Sequence, residues 1–80
     1  MNLIDIDYDK GIVKSDFFEW QIVFNENNKY LLLQREDKGK FRAAEADVKK
    51  KQIWEVSEIT YHSPDGDLYV FEEDTGISKL

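Results

Sequence analysis

Apolar and polar residues alternate along several stretches of this chain with the two-residue period of strands rather than the 3.6-residue period of helices. Over residues 3–9, Ile4, Ile6 and Tyr8 fall on one side and Asp5, Asp7 and Asp9 on the other, which predicts a half-buried strand. Asp9-Lys10-Gly11 supplies a turn, and Ile12-Val13 returns as a short partner strand. Residues 17–24 carry the clearest strand pattern, with Phe18, Trp20, Ile22 and Phe24 on one face and Phe17, Glu19, Gln21 and Val23 on the other. Asp16 and Glu19 imitate a capping box, which makes a helix the rival. The strand is favoured because Asn25-Glu26-Asn27-Asn28 follows and Tyr30-Leu31-Leu32-Leu33 resumes the apolar run, as in a hairpin.

Beyond a solvated turn at residues 36–40, the pattern changes. Residues 42–51 read Arg-Ala-Ala-Glu-Ala-Asp-Val-Lys-Lys-Lys, rich in the best helix former, with Glu45–Lys49 and Asp47–Lys51 at i,i+4. Acids come early and lysines late, as a helix dipole prefers, and Phe41, Ala44 and Val48 would share the inner face. The expectation is one helix here. Residues 53–61 return to strand composition, but Trp54 and Val56 have one parity and Ile59 and Tyr61 the other. A β-bulge near Ser57-Glu58 would reconcile them. Ser63-Pro64-Asp65-Gly66 is a turn, residues 67–73 the last strand, and residues 74–80 a polar, flexible tail. The predicted fold class is α+β: a small antiparallel sheet of about five strands, with one helix near 42–51 covering it. The alternative is an SH3-like small barrel with residues 42–51 as an elaborated loop.

Composition adds a source of stability. Eighty residues make a single domain, 1–80, too small to be stable without a dense core. Eleven aromatic rings are available for that core. With no Cys and a single His, thiol nucleophiles and thiolate metal sites are excluded, and a triad would depend on His62 alone. His62 and Ser63 are sequence neighbours and point to opposite faces of a strand, so no nucleophile–base pair is legible. The expected protein is not an enzyme and uses no cofactor, metal or small-molecule substrate. Residues 1–9 lack the basic, apolar character of a signal peptide, and no run is long and apolar enough to span a membrane. A cytoplasmic location is the expectation, and the lack of Cys agrees with a reducing compartment.

Charge narrows the choice of partner. The net charge is −6, which opposes nucleic acid as a partner. The distribution is uneven: residues 35–51 hold seven bases against four acids, between acidic flanks. Arg35, Lys38, Lys40, Phe41, Arg42, Lys49, Lys50 and Lys51 therefore form the alternative, nucleic-acid-binding candidate, with bases for phosphates and one ring for stacking. Asp5, Asp7 and Asp9 suggest a calcium loop, but Gly11 lies one place too late and Asp16 stands where the loop wants Glu. They read instead as a carboxylate row that protects a strand edge or docks a basic partner. Several strands are apolar on both faces (Phe17 and Val23; Leu31 and Leu33), which suggests that another molecule covers one sheet face. Trp20 and Trp54 read first as core residues, and with Tyr69 they are the aromatic candidates for that contact. The reading is a non-enzymatic, acidic protein-interaction module, a regulator, inhibitor-type binder or homodimer. In generic terms it resembles the small acidic proteins of bacteria and their phages, and it carries no motif diagnostic of a named family.

Overall fold

A computed structural model describes residues 1–80. The chain forms nine strands and no helix: β1 (Leu3–Asp7), β2 (Ile12–Ser15), β3 (Glu19–Glu26), β4 (Tyr30–Asp37), β5 (Lys40–Asp47), β6 (Gln52–Val56), β7 (Thr60–His62), β8 (Leu68–Glu72) and β9 (Gly76–Lys79). The first six make one antiparallel sheet in chain order, and the last three make a second. Both the α+β expectation and its small-barrel alternative are overturned: the protein is all-β, with a six-stranded curled sheet backed by a three-stranded one.

The curl follows from where the apolar side chains lie. Leu3, Val13, Trp20, Leu31, Leu33, Ala44, Ala46 and Ile53, drawn from all six strands, form one cluster inside the curl. The two edges of the sheet touch at one end, where Leu3 N donates to Lys51 O and Ile53 N to Met1 O, both at 2.9 Å. The outer face carries a second cluster. Leu32, Ala43, Ile59 and Ile77 pack there with Phe24, Tyr30, Tyr61 and Tyr69. Leu31, Leu32 and Leu33 are each 0% exposed because β4 is buried on both faces. The chain's own second sheet therefore covers the face expected to take another molecule.

Segment 42–51 is strand and turn, not helix. Ala43 meets the outer cluster while Ala44 and Ala46 meet the inner one, all 0% exposed. Ladders to β4 (Leu33↔Ala44) and β6 (Ala46↔Ile53) satisfy the backbone on both sides. Helix propensity differs between residues by only about 0.7 kcal/mol, and burial on two faces outweighs it. The acids meant for i,i+4 pairs are used otherwise. Asp47 Oδ1 accepts from Lys50 N at 3.1 Å, closing the β5–β6 turn with Lys51 at φ 54°, and Glu45 accepts from Tyr30 and Trp54.

Other strand boundaries shift for local reasons. The parity change at Ser57-Glu58 is not a bulge in one strand: β6 ends at Val56 and β7 starts at Thr60 in the other sheet. The bulges lie elsewhere. Val23 is extra between Ile22↔Leu33 and Phe24↔Leu32, so Val23 and Phe24 both pack on the outer cluster. Ile4 interrupts the β1 register and is turned out, leaving Leu3 and Ile6 facing the core. Phe17 and Phe18 precede β3. The supposed tail carries β9, which pairs with β8 through Phe71↔Ile77. Ile77 N donates to Gln34 Oε1 at 2.8 Å. Gly76 permits that approach: at φ 83°, a Cβ on it would lie 2.5 Å from the same oxygen.

Candidate interaction surface

Ser15 organises the connection between β2 and β3. Its N–H donates to Phe18 O at 2.8 Å, and its Oγ donates to the same carbonyl at 3.0 Å. The Oγ also accepts from Phe18 N at 3.3 Å and from the buried Trp20 Nε1 at 3.1 Å. Asp16 Oδ2 accepts from Asn2 N at 3.0 Å, tying the turn to the first residues. A turn pinned this way gives Phe17 a fixed backbone, yet its side chain is 82% exposed. Phe18 is 39% exposed and meets the Phe17 ring edge-on at 6.5 Å. Beneath it the Arg35 guanidinium lies 3.7 Å from the Phe18 centroid and 5.1 Å from that of Trp20, a cation–π support. Arg35 also pairs with Glu55 at 3.6 Å and Asp37 at 3.9 Å, and its buried Nε has no hydrogen-bond partner.

The rim continues through Met1 and Trp54, which share a shallow depression with Asp16 and Ile53. Trp54 is 42% exposed, and its Nε1 donates to Glu45 Oε2 at 3.1 Å. Glu45 Oε1 accepts from the Tyr30 hydroxyl, and Glu26 Oε1 accepts from the Tyr61 hydroxyl across the two sheets. Burial, and then the neighbouring Glu45 carboxylate, holds the Tyr30 hydroxyl protonated well above the usual tyrosine range. Burial and Glu26 push Tyr61 up to about 12. The Tyr61 ring meets Tyr30 at 5.2 Å, Phe24 at 5.5 Å and Tyr69 at 6.4 Å between centroids, so it helps clamp one sheet on the other.

The residues singled out from the sequence divide accordingly. Trp20 is 1% exposed and belongs to the core. Tyr69 is half-buried between the sheets. Trp54 alone of the three aromatics lies on the rim. Asp5 lies on β1 opposite Lys14, Asp7 Oδ1 accepts from Lys10 N at 3.0 Å, and Asp9 lies in the turn. Lysines thus interleave the carboxylate row. The basic segment is dispersed. Lys38 and Lys40 lie at one end of β5 and Lys49, Lys50 and Lys51 at the other, about 24 Å apart for an eight-residue strand. Arg35 is ion-paired, Lys40 pairs with Asp74 at 3.2 Å, and Phe41 packs towards β9. Arg42 lies opposite Arg35 with no ion pair of its own. His62 is exposed at the end of β7. Alternation places Phe17 within a strand, whereas it lies on the turn before β3 with its ring exposed. The signal for its turn is Lys14-Ser15-Asp16, three polar residues that interrupt the apolar pattern between Val13 and Phe17.

No helix of the structure is long and apolar enough to cross a membrane. No protein-family model, curated protein or solved structure matches the chain.

Proposed function

We propose that this is a non-enzymatic protein-interaction module, working in the cytoplasm, that binds a basic partner protein through the rim formed by Met1, Phe17, Phe18 and Trp54. The observation that carries the reading is Phe17, a large apolar ring 82% exposed on a turn held by four hydrogen bonds through Ser15. Ordering a side chain on a rigid backbone lowers the entropy lost when it is buried in a partner. Asp16, Glu19 and Glu36 stand around the rim beside Lys14 and the ion-paired Arg35, and the chain's −6 charge favours encounter with a cationic surface. The scattered lysines offer nucleic acid no comparable continuous surface.

The test is affinity capture with the intact protein as bait, wild type beside Phe17→Ser, at low and raised salt. Burying a Phe side chain contributes about 1.5–3 kcal/mol, so Phe17→Ser should weaken a retained partner by roughly 10–100-fold without moving the melting temperature. A monomer that retains nothing, or that retains the same proteins after Phe17→Ser, would remove the proposal.

A further inference from the structure

A largely buried charge is ordinarily held by hydrogen bonds, because leaving it without them is costly. Arg35 breaks that rule. Its side chain is only 15% exposed, and its buried Nε has no hydrogen-bond partner. Its contacts with Glu55 and Asp37, at 3.6 and 3.9 Å, offset its charge but are too long for hydrogen bonds. On β5 the residue directly opposite is Arg42, and like charges so placed repel. What the guanidinium does have is rings, with the Phe18 centroid at 3.7 Å and that of Trp20 at 5.1 Å. A neutral apolar side chain at residue 35 would serve the fold as well or better. Residues that break a local rule of stability mark places where function sets the choice.

We infer that Arg35 is a positioning residue of the interaction surface, holding the Phe17–Phe18 pair ready for the partner, which rests on the protein-interaction reading above and deepens it. Order passes from ring to ring. Trp20 is fixed in the core at 1% exposure and meets Phe18 edge-on at 6.2 Å. Phe18 in turn meets Phe17 edge-on at 6.5 Å. Ser15 fixes the backbone of Phe18, but hydrogen bonds to a backbone leave the side-chain torsions free. The Trp20 edge and the Arg35 guanidinium are what restrict the half-exposed Phe18 ring. Arginine suits this place and lysine does not. A guanidinium is flat and weakly hydrated, so it lies against a ring while charged, whereas an ammonium keeps its water. Side chains ordered before binding lose less entropy in the complex.

The experiment is carbon-13 NMR relaxation of the phenylalanine rings in the whole chain, for wild type, Arg35→Lys, Arg35→Met and Glu55→Gln, with a thermal melt of each. The same four proteins then serve as baits in the affinity capture. The Phe18 and Phe17 rings should gain fast motion in both Arg35 variants and keep their order in Glu55→Gln. Arg35→Met should melt at the wild-type temperature or above it. A retained partner should bind either Arg35 variant about fivefold more weakly. Arg35→Lys keeps the chain's charge, so its loss of binding is not one of electrostatic encounter. Rings as ordered in Arg35→Lys as in wild type, or equal loosening in Glu55→Gln, would each overturn the inference. So would a marked fall in the melting temperature of Arg35→Met, which would make Arg35 a prop of the fold alone. Partner capture that depends on Phe17 but is unchanged in Arg35→Lys would overturn it and leave the broader reading in place. A wild-type bait that retains nothing removes both.

Discussion

Single residues decide how this chain turns. At the β1–β2 and β5–β6 turns the same device recurs: an Asp side chain accepts from the backbone N–H three residues on, and the next residue has positive φ. In the first turn that residue is Gly11 at φ 70°; in the second it is Lys51 at φ 54°. A left-handed conformation costs a non-glycine residue about 1 kcal/mol, and Lys51 is exposed at the turn. Lys51→Gly should therefore stabilise the protein by up to about 1 kcal/mol, measured as a higher urea midpoint at unchanged slope. Loss of stability on this substitution would mean that the lysine side chain makes a contribution its exposure does not suggest. Ser15 and Gly76 act on the same scale, one by closing a turn and the other by letting two strands approach.

At the scale of the element, β5 is where local preference and tertiary context disagree most. As a helix, residues 42–51 would turn Phe41, Ala44 and Val48 inward and leave Ala46 in solvent. As a strand they bury Ala46 at 0% exposure in the inner cluster. Ala46→Leu separates the two. It would be harmless on an exposed helix face, but here it should overpack the curl and cost about 1–3 kcal/mol in denaturant unfolding. The remaining strands were largely legible. Alternation places β1 and β3, apolar runs bounded by turns place β2, β4 and β8, and turn residues mark the hairpin at Asn27 and Asn28, both of which have positive φ. The misses share a cause. Propensity and period are local, whereas β5 is set by ladders on both sides and the break between β6 and β7 by a change of sheet. β9 is set by a docking contact with Gln34. The rim was legible only in Trp54. Nothing in the period of residues 17–24 separates a ring inside a strand from one at the tip of the turn before it.

At the scale of the whole molecule, two side-chain clusters share one central strand of the six-stranded sheet. Leu31 and Leu33 serve the inner cluster and Leu32 the outer one, so β4 couples the two cores. Unfolding should consequently be a single transition, with Trp20 fluorescence from the curl and tyrosine near-ultraviolet dichroism from the sheet interface changing together. Leu32→Ala should lower both by the same amount, about 2–5 kcal/mol. Separate midpoints for the two probes would show that the second sheet folds independently.

The amino-acid sequence alone determined the local matters: an aromatic-filled β-rich chain, most of its strands and turns, its acidic balance, and the want of a legible nucleophile–base pair. These depend on neighbours a few residues apart, where side-chain period and turn chemistry act. The tertiary structure decided that three alanines serve a strand and that a supposed tail closes a second sheet over the exposed face. It also decided that Phe17, rather than Trp20, meets solvent. Those outcomes depend on which distant residues come to share a core, and burial on two faces outweighs the tenths of a kcal/mol by which local preferences differ.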